Sequence, residues 1–146
     1  MARQTKKNLS LIIWAYHHPV LRWGVVDKGV YHAYQDEVPQ LDLGLLPLLH
    51  RRGVHPEQLS LIAACPELLG GFASARLILA TVNTIAWLRD IPILAIPQDW
   101  SHDETSVSER LVRMKPGDSC LHQVLPHYAA PPSISIQKRK KKFTIT

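Results

Sequence analysis

A chain of 146 residues, 46% of them hydrophobic, fits one domain with a real core. The 17 basic and 12 acidic side chains give a formal charge of +5, but Lys138, Arg139, Lys140, Lys141 and Lys142 alone supply that excess. The remainder is balanced, which argues against a broad phosphate-binding face and confines attraction to nucleic acid or an anionic surface to the tail.

At the N-terminus, MARQTKK followed by LSLIIWAY imitates the charged and apolar parts of a signal peptide, yet no small-residue cleavage site follows. His17, His18 and Pro19 interrupt the apolar run, and no stretch of the chain reaches the ~18 consecutive apolar residues of a membrane-spanning helix. A soluble, unprocessed protein is expected, with no membrane partner. The first third reads as three strands, Leu9–Tyr16, Val20–Asp27 and Val30–Glu37, rich in Leu, Ile, Val, Trp and Tyr. His17, His18 and Pro19 turn the chain once, and Asp27, Lys28 and Gly29 form a hairpin connection, so the three make a meander.

Leu41–Arg52 follows as the first helix, with Leu41, Leu45, Leu48 and Leu49 on a shared face, Leu46 beside them and Gly53 to close it. Pro47 removes a backbone donor, so a late start or a kink is expected there, while His50, Arg51 and Arg52 suit a C-terminal end. Pro56, Glu57 and Gln58 make a short turn before a buried strand, Leu59–Ala64. The second helix, Gly71–Arg89, is long enough for about five turns at roughly 3.6 residues each. Ile78, Val82 and Ile85 line one side, Ala75, Leu79 and Ala86 another, and Leu77, Trp87 and Leu88 widen the apolar surface, leaving few polar positions such as Asn83 and Arg89. A helix apolar nearly all round needs cover on more than one side.

Ile91–Ile96 is a last short strand, Trp100–Thr105 is polar, and Val107–Met114 forms a short helix broken by Lys115, Pro116 and Gly117. Beyond Pro126 a proline pair and five consecutive cations favour extended chain. The order predicts an α/β protein built as one actin-like or RNase H-like lobe. Its mixed five-stranded sheet combines a three-strand meander with two crossover strands, and two main helices cover it. Residues 1–100 make the lobe, 101–126 a short linker with a helix, and 127–146 a basic tail.

These blocks, taken in order from the strands of 9–37 through LGLLPLLHRRG, PEQLSLIAA and GGFASARLILATVNTIAWLRDIPILAI to PHYAAPPSIS, resemble the TsaB family. The family's segment after the fourth strand reads like GPGSFTGLRIGLATAKGLA, and Gly71, Phe72 and Arg76 stand at its second Gly-Ser-Phe and Arg positions. The likeness covers residues 9–96 and the tail. Trp14, Ala15, Tyr16 and His17 replace the family's Asp-Thr-Ser type turn, so no carboxylate is available there to hold a metal or a nucleotide phosphate. Pro66, Glu67, Leu68, Leu69 and Gly70 replace its Pro-Gly-Ser stretch. The roughly 25 residues between Trp100 and the closing segment are too few for the family's second lobe.

The resemblance implies a catalytically inert, cytoplasmic subunit of the machinery that makes threonylcarbamoyladenosine on tRNA, pairing through helices of this lobe with the catalytic paralogue TsaD or with a second copy. On that reading Leu45 and Leu49 of the first helix and Ala75, Ile78, Leu79 and Val82 of the second supply the apolar contact, and Ala73, Ser74, Ala75 and Ala80 permit close helix approach. The plain alternative is that all of them are ordinary core.

Other candidates are weaker. Gly70 and Gly71 open the second helix and offer backbone donors to a phosphate, but neither GxGxxG nor a Walker-type GxxxxGK[ST] is present, and a tight turn explains them. His17 and His18 are adjacent, Cys120 and His122 have no matching pair, and His102, Asp103 and Glu104 lie in a polar stretch, whereas zinc wants three or four convergent ligands. Two cysteines are too few for a disulfide framework, and Cys65 ends an apolar strand as a buried thiol does. Neither a catalytic residue nor a metal or cofactor is expected. Lys138, Arg139, Lys140, Lys141 and Lys142 are the candidate nucleic-acid contact, each adding a salt-sensitive contribution toward tRNA phosphates. The rival functions are a small RNA-binding or ribosome-associated protein working through that tail, and a degenerate RNase H-like or kinase-like enzyme, which the missing acidic residues of the first strand disfavour.

Overall fold

The structure, a computed structural model, describes residues 9–113, 120 and 121. Strands β1 (Leu9–His17), β2 (Val20–Asp27) and β3 (Val30–Glu37) are followed by helix α1 (Leu41–Arg51), β4 (Leu59–Ala64), α2 (Phe72–Arg89), β5 (Ile93–Ala95), α3 (Val107–Arg113) and β6 (Cys120–Leu121). The sheet is open and mixed, in the order β3-β2-β1-β4-β5-β6. The meander pairs antiparallel, and β1, β4 and β5 pair parallel through the crossovers of α1 and α2. The five expected strands are all present. Beside them the two-residue β6 pairs antiparallel with β5, a contact too short to leave a pattern in sequence.

Local chemistry fixes the joints. Lys28 and Gly29 both take positive φ, 54° and 82°, the pair of left-handed residues that a two-residue hairpin between Asp27 and Val30 requires. Helix α1 runs from Leu41 through Pro47 as one element, so the late start expected there does not occur, and at Pro47 the helix gives up one internal bond. It closes on Gly53 at φ 77°, whose N–H bonds to the His50 carbonyl while the Val54 N–H bonds to that of Leu49, a pairing that satisfies the last carbonyls. The strand expected over 91–96 shortens to Ile93–Ala95, because Pro92 has no N–H to donate and contributes only its carbonyl, to the Ile62 N–H at 3.1 Å.

Strand β1 is buried on both faces. Leu11, Ile13 and Tyr16 turn toward α1 and α2, while Ile12 and Trp14 turn the other way. A register shift between Ile13 and Ala15 leaves Trp14 as the extra residue of a bulge, and Ala15 packs on the same side as Trp14. The first core is large: Leu21, Trp23, Leu45, Leu48, Leu49, Leu59, Ile62, Leu69, Ile78 and Val82 join β1 between the sheet and the helix pair. The second is smaller, with Val26, Ala63, Cys65, Leu94, Ile96 and Val107 around Ile12 and Trp14.

The cover of that second face comes from residues 98–113, a 3-10 helical stretch over Gln98–Ser106 interrupted at Asp103 and then α3, with Trp100 and Leu111 packed on the cluster. A polar stretch in sequence thus serves as a lid. It is latched by a chain of bonds: Trp14 Nε1 donates to Tyr31 Oη at 2.7 Å, Tyr31 donates to Glu104 Oε1 at 2.9 Å, and Glu104 pairs with Arg22. Tyr31 reaches across because Gly24 has no side chain; a Cβ there would lie 2.6–2.7 Å from the Tyr31 hydroxyl oxygen and Cζ.

A second latch ties the end of α1 to the meander. Asp36 accepts bonds from Arg52 Nε at 3.2 Å and Trp23 Nε1 at 3.0 Å, and Arg52 lies 4.8 Å over the Tyr34 ring. The Arg52 hydrogen bond holds the Asp36 carboxyl below its ordinary range against the opposing effect of burial, with Trp23 assisting.

Two outcomes follow. Gly24→Ala should cost about 1–3 kcal/mol in urea unfolding, and much less in a background carrying Tyr31→Ala, where the ring it strikes is gone. Asp36 has a folded pKa below its unfolded value, so its contribution is complete above the unfolded value and is lost as pH falls through the folded one. The gap in urea midpoint between wild type and Asp36→Asn should therefore be widest near neutrality and close as the solution is acidified below about pH 4.

Candidate functional site

The six residues expected to form the partner contact lie inside the chain itself. Leu45, Leu49, Ala75, Ile78, Leu79 and Val82 are each at most 2% exposed and belong to the core between the helices and the sheet. This corrects the sequence reading. Helical periodicity shows that α2 has apolar residues on every side, but the sheet and α1 choose which of them turn inward, and they take Ala75, Ile78, Leu79, Val82, Ile85 and Ala86.

The opposite side of α2 remains exposed and is apolar as well. Ala73, Leu77, Ala80, Thr84, Trp87 and Leu88 recur there at three- and four-residue spacing. Trp87 is 78% and Leu88 67% exposed, and Leu46 of α1, at 49%, stands beside them. Thr81 and Thr84 do not make the strip polar: their hydroxyls donate to the carbonyls of Leu77 at 2.9 Å and Ala80 at 2.7 Å, one turn back along the helix. What they present outward is therefore largely methyl. Toward α1 the surface folds into an open groove of about 430 Å³, lined by Leu46, Pro56, Ala80, Thr81, Thr84, Ile85, Leu88 and, at its end, Arg89. Contiguous exposed apolar surface of this kind marks an interaction site on a soluble domain.

Of the four small residues expected to permit close approach, Ala73 and Ala80 face solvent, Ser74 is half-buried and Ala75 is core. Trp87, Leu88 and Leu46 stood in sequence only as additions to an apolar surface. The one signal that singles them out is an excess of apolar residues over what one core-facing stripe needs.

A second, polar cleft of about 530 Å³ opens at the C-terminal ends of β1 and β4, lined by residues that include His17, Arg22, Glu67, Gly70, Ser101 and His102. Its charges serve the lid: Arg22 pairs with Glu104, and Glu67 accepts the Gln98 N–H at 3.3 Å. Gly70 sits at φ 84°, and a Cβ there would come within 3.2 Å of the Tyr16 carbonyl oxygen, so a tight turn accounts for this glycine. Among the described residues no three His, Cys, Asp or Glu side chains gather as metal ligands would. Cys65 is buried, and burial above all pushes its thiol up to about 11, the state of a core sulfur and not of a nucleophile. No helix of the described residues is long and apolar enough to cross a membrane. Lys138, Arg139, Lys140, Lys141 and Lys142, and His122 with them, lie outside the described residues.

No protein-family model matches this sequence, and no curated protein matches it. Among solved structures it is similar to YeaZ from Pseudomonas aeruginosa, at 20% identity and a TM-score of 0.51 over 66% of this chain and 51% of that one. It is also similar to an uncharacterized protein with similarity to peptidase YEAZ from Pseudomonas aeruginosa, at 18% identity and a TM-score of 0.49 over 66% of this chain and 49% of that one. This chain spans about half the length of the solved structures it matches. At that level of identity the likeness is one of fold: an open mixed α/β sheet with its helices, arranged as in YeaZ.

Proposed function

We propose that this protein is a non-catalytic scaffold of the TsaB kind, which binds a TsaD-like catalytic partner through the exposed face of α1 and α2 and so serves tRNA threonylcarbamoyladenosine modification in the cytoplasm. YeaZ is the Pseudomonas TsaB, so the fold agrees with the sequence resemblance. The observation that carries the reading is the apolar strip of α2, where Leu77, Trp87 and Leu88 lie exposed beside Leu46 among the described residues. Exposed aromatic and aliphatic side chains next to a groove are the usual anchors of a helix packed against a partner helix. The charged groups of the polar cleft, Arg22 and Glu67, are engaged with the lid, which supports leaving the chemistry to the partner.

The basic tail favours a second activity, contact with tRNA phosphates, on the strength of five adjacent cations alone. Deleting residues 137–146 separates the two readings: a scaffold keeps its partner, whereas a tail-driven RNA binder loses its RNA.

The main test is co-expression with the TsaD-like protein of the same genome, followed by size-exclusion chromatography with light scattering. A stable complex is expected. Leu88→Asp should weaken it at least roughly tenfold, and Trp87→Ala should act in the same direction. Because both side chains are exposed, each variant should melt within about 0.5 kcal/mol of wild type. Unchanged binding by Leu88→Asp would remove the proposed surface from consideration.

A further inference from the structure

The groove between α1 and α2 ends on Arg89, a cation with no ion-pair partner among the described residues. Arg89 Nε is buried and has no hydrogen-bond partner, while its terminal nitrogen donates to the Glu57 main-chain carbonyl at a long 3.5 Å. The carboxylates next to it, Glu57 and Asp90, form no ion pair with it; among the described residues the ion pairs are Arg22 with Glu104 and Arg52 with Asp36. The rest of the lining is aliphatic, or threonine whose hydroxyl is already spent on the helix backbone.

An occupant that is apolar throughout would take more water from the guanidinium and give it nothing in return, which is costly for a charged donor. The occupant that suits this lining brings one anionic acceptor to the groove's end, and a carboxylate matches the planar fork of an arginine. A second copy of this chain, laid in through its own α2, is poorly suited. Its α2 contains no Asp or Glu between Phe72 and Arg89, so laying that helix in the groove would bring Arg76 and Arg89 and no carboxylate.

Resting on the scaffold reading, we propose that the groove takes an apolar helix of a different protein, one that places an Asp or Glu over Arg89, and that this charge match selects the foreign helix over the α2 of a second copy.

The test uses the full chain and the TsaD-like protein of the same genome, with titration calorimetry at low and high salt and sedimentation of each chain alone. Arg89→Gln should weaken binding about tenfold and flatten its dependence on salt, and Arg89→Glu should weaken it further, to about a hundredfold or more. Thermal melts of both variants should match wild type. Alone, the wild-type chain should sediment as a monomer at low salt. If both Arg89 variants bind as wild type does while Leu88→Asp loses binding, the carboxylate anchor is wrong and the scaffold reading stands. If Leu88→Asp has no effect, or the wild-type chain fails to bind, the scaffold reading falls and takes the anchor with it. A low-salt dimer of the wild-type chain that Leu88→Asp dissolves makes the second copy the occupant, and the proposal is overturned.

Discussion

Strands β1 and β4 have no polar face. Leu11, Ile12, Ile13 and Trp14 are fully enclosed, as are Ile62, Ala63 and Ala64 across the parallel pairing. A sheet whose centre is apolar above and below must be covered twice, and the rest of the molecule is arranged around that requirement. The helix pair α1 and α2 covers one face. The other is covered by 98–113, a segment polar enough to face water yet carrying Trp100, Val107 and Leu111 inward. The two latches hold the two covers in place: Glu104 with Tyr31 and Arg22 on the lid side, Asp36 with Arg52 on the helix side.

The two covers differ in what they leave behind. The lid turns its polar residues outward, whereas α2 has no polar side to turn. Its inward stripe fills the core, while Leu77, Trp87 and Leu88 stay in solvent. That asymmetry gives the fold its candidate function. The sheet supplies a base, α2 is held on it by six buried side chains, and that helix presents the exposed strip with the groove beside it. Surface positioned in this way loses little freedom when another helix packs on it.

The N-terminal end of the same helix shows a related economy. Gly70 and Gly71 look like a phosphate-binding turn when read alone, yet the close approach to the Tyr16 carbonyl explains Gly70 without a ligand. The charged residues of the adjacent cleft are engaged with the lid. The polarity of that cleft is therefore partly the cost of keeping the second face of the sheet closed.

The sequence by itself determined the order of the elements. Its three meander strands, the hairpin at Lys28 and Gly29, the helix end at Gly53 and the crossover strand Leu59–Ala64 follow from alternation, turn chemistry and capping, which act over a few residues. It also showed that α2 carries apolar residues on more than one side. Which side of α2 faces the core was beyond it, because a helix apolar all round has no phase for periodicity to detect. The sheet and α1 settled that choice and placed Ile78, Leu79 and Val82 inside, leaving Leu77, Trp87 and Leu88 outside. The lid was illegible for a similar reason. Glu104 and Tyr31 are 73 positions apart, and Gly24 leaves room for the ring that joins them, so the contact exists only once the chain has folded.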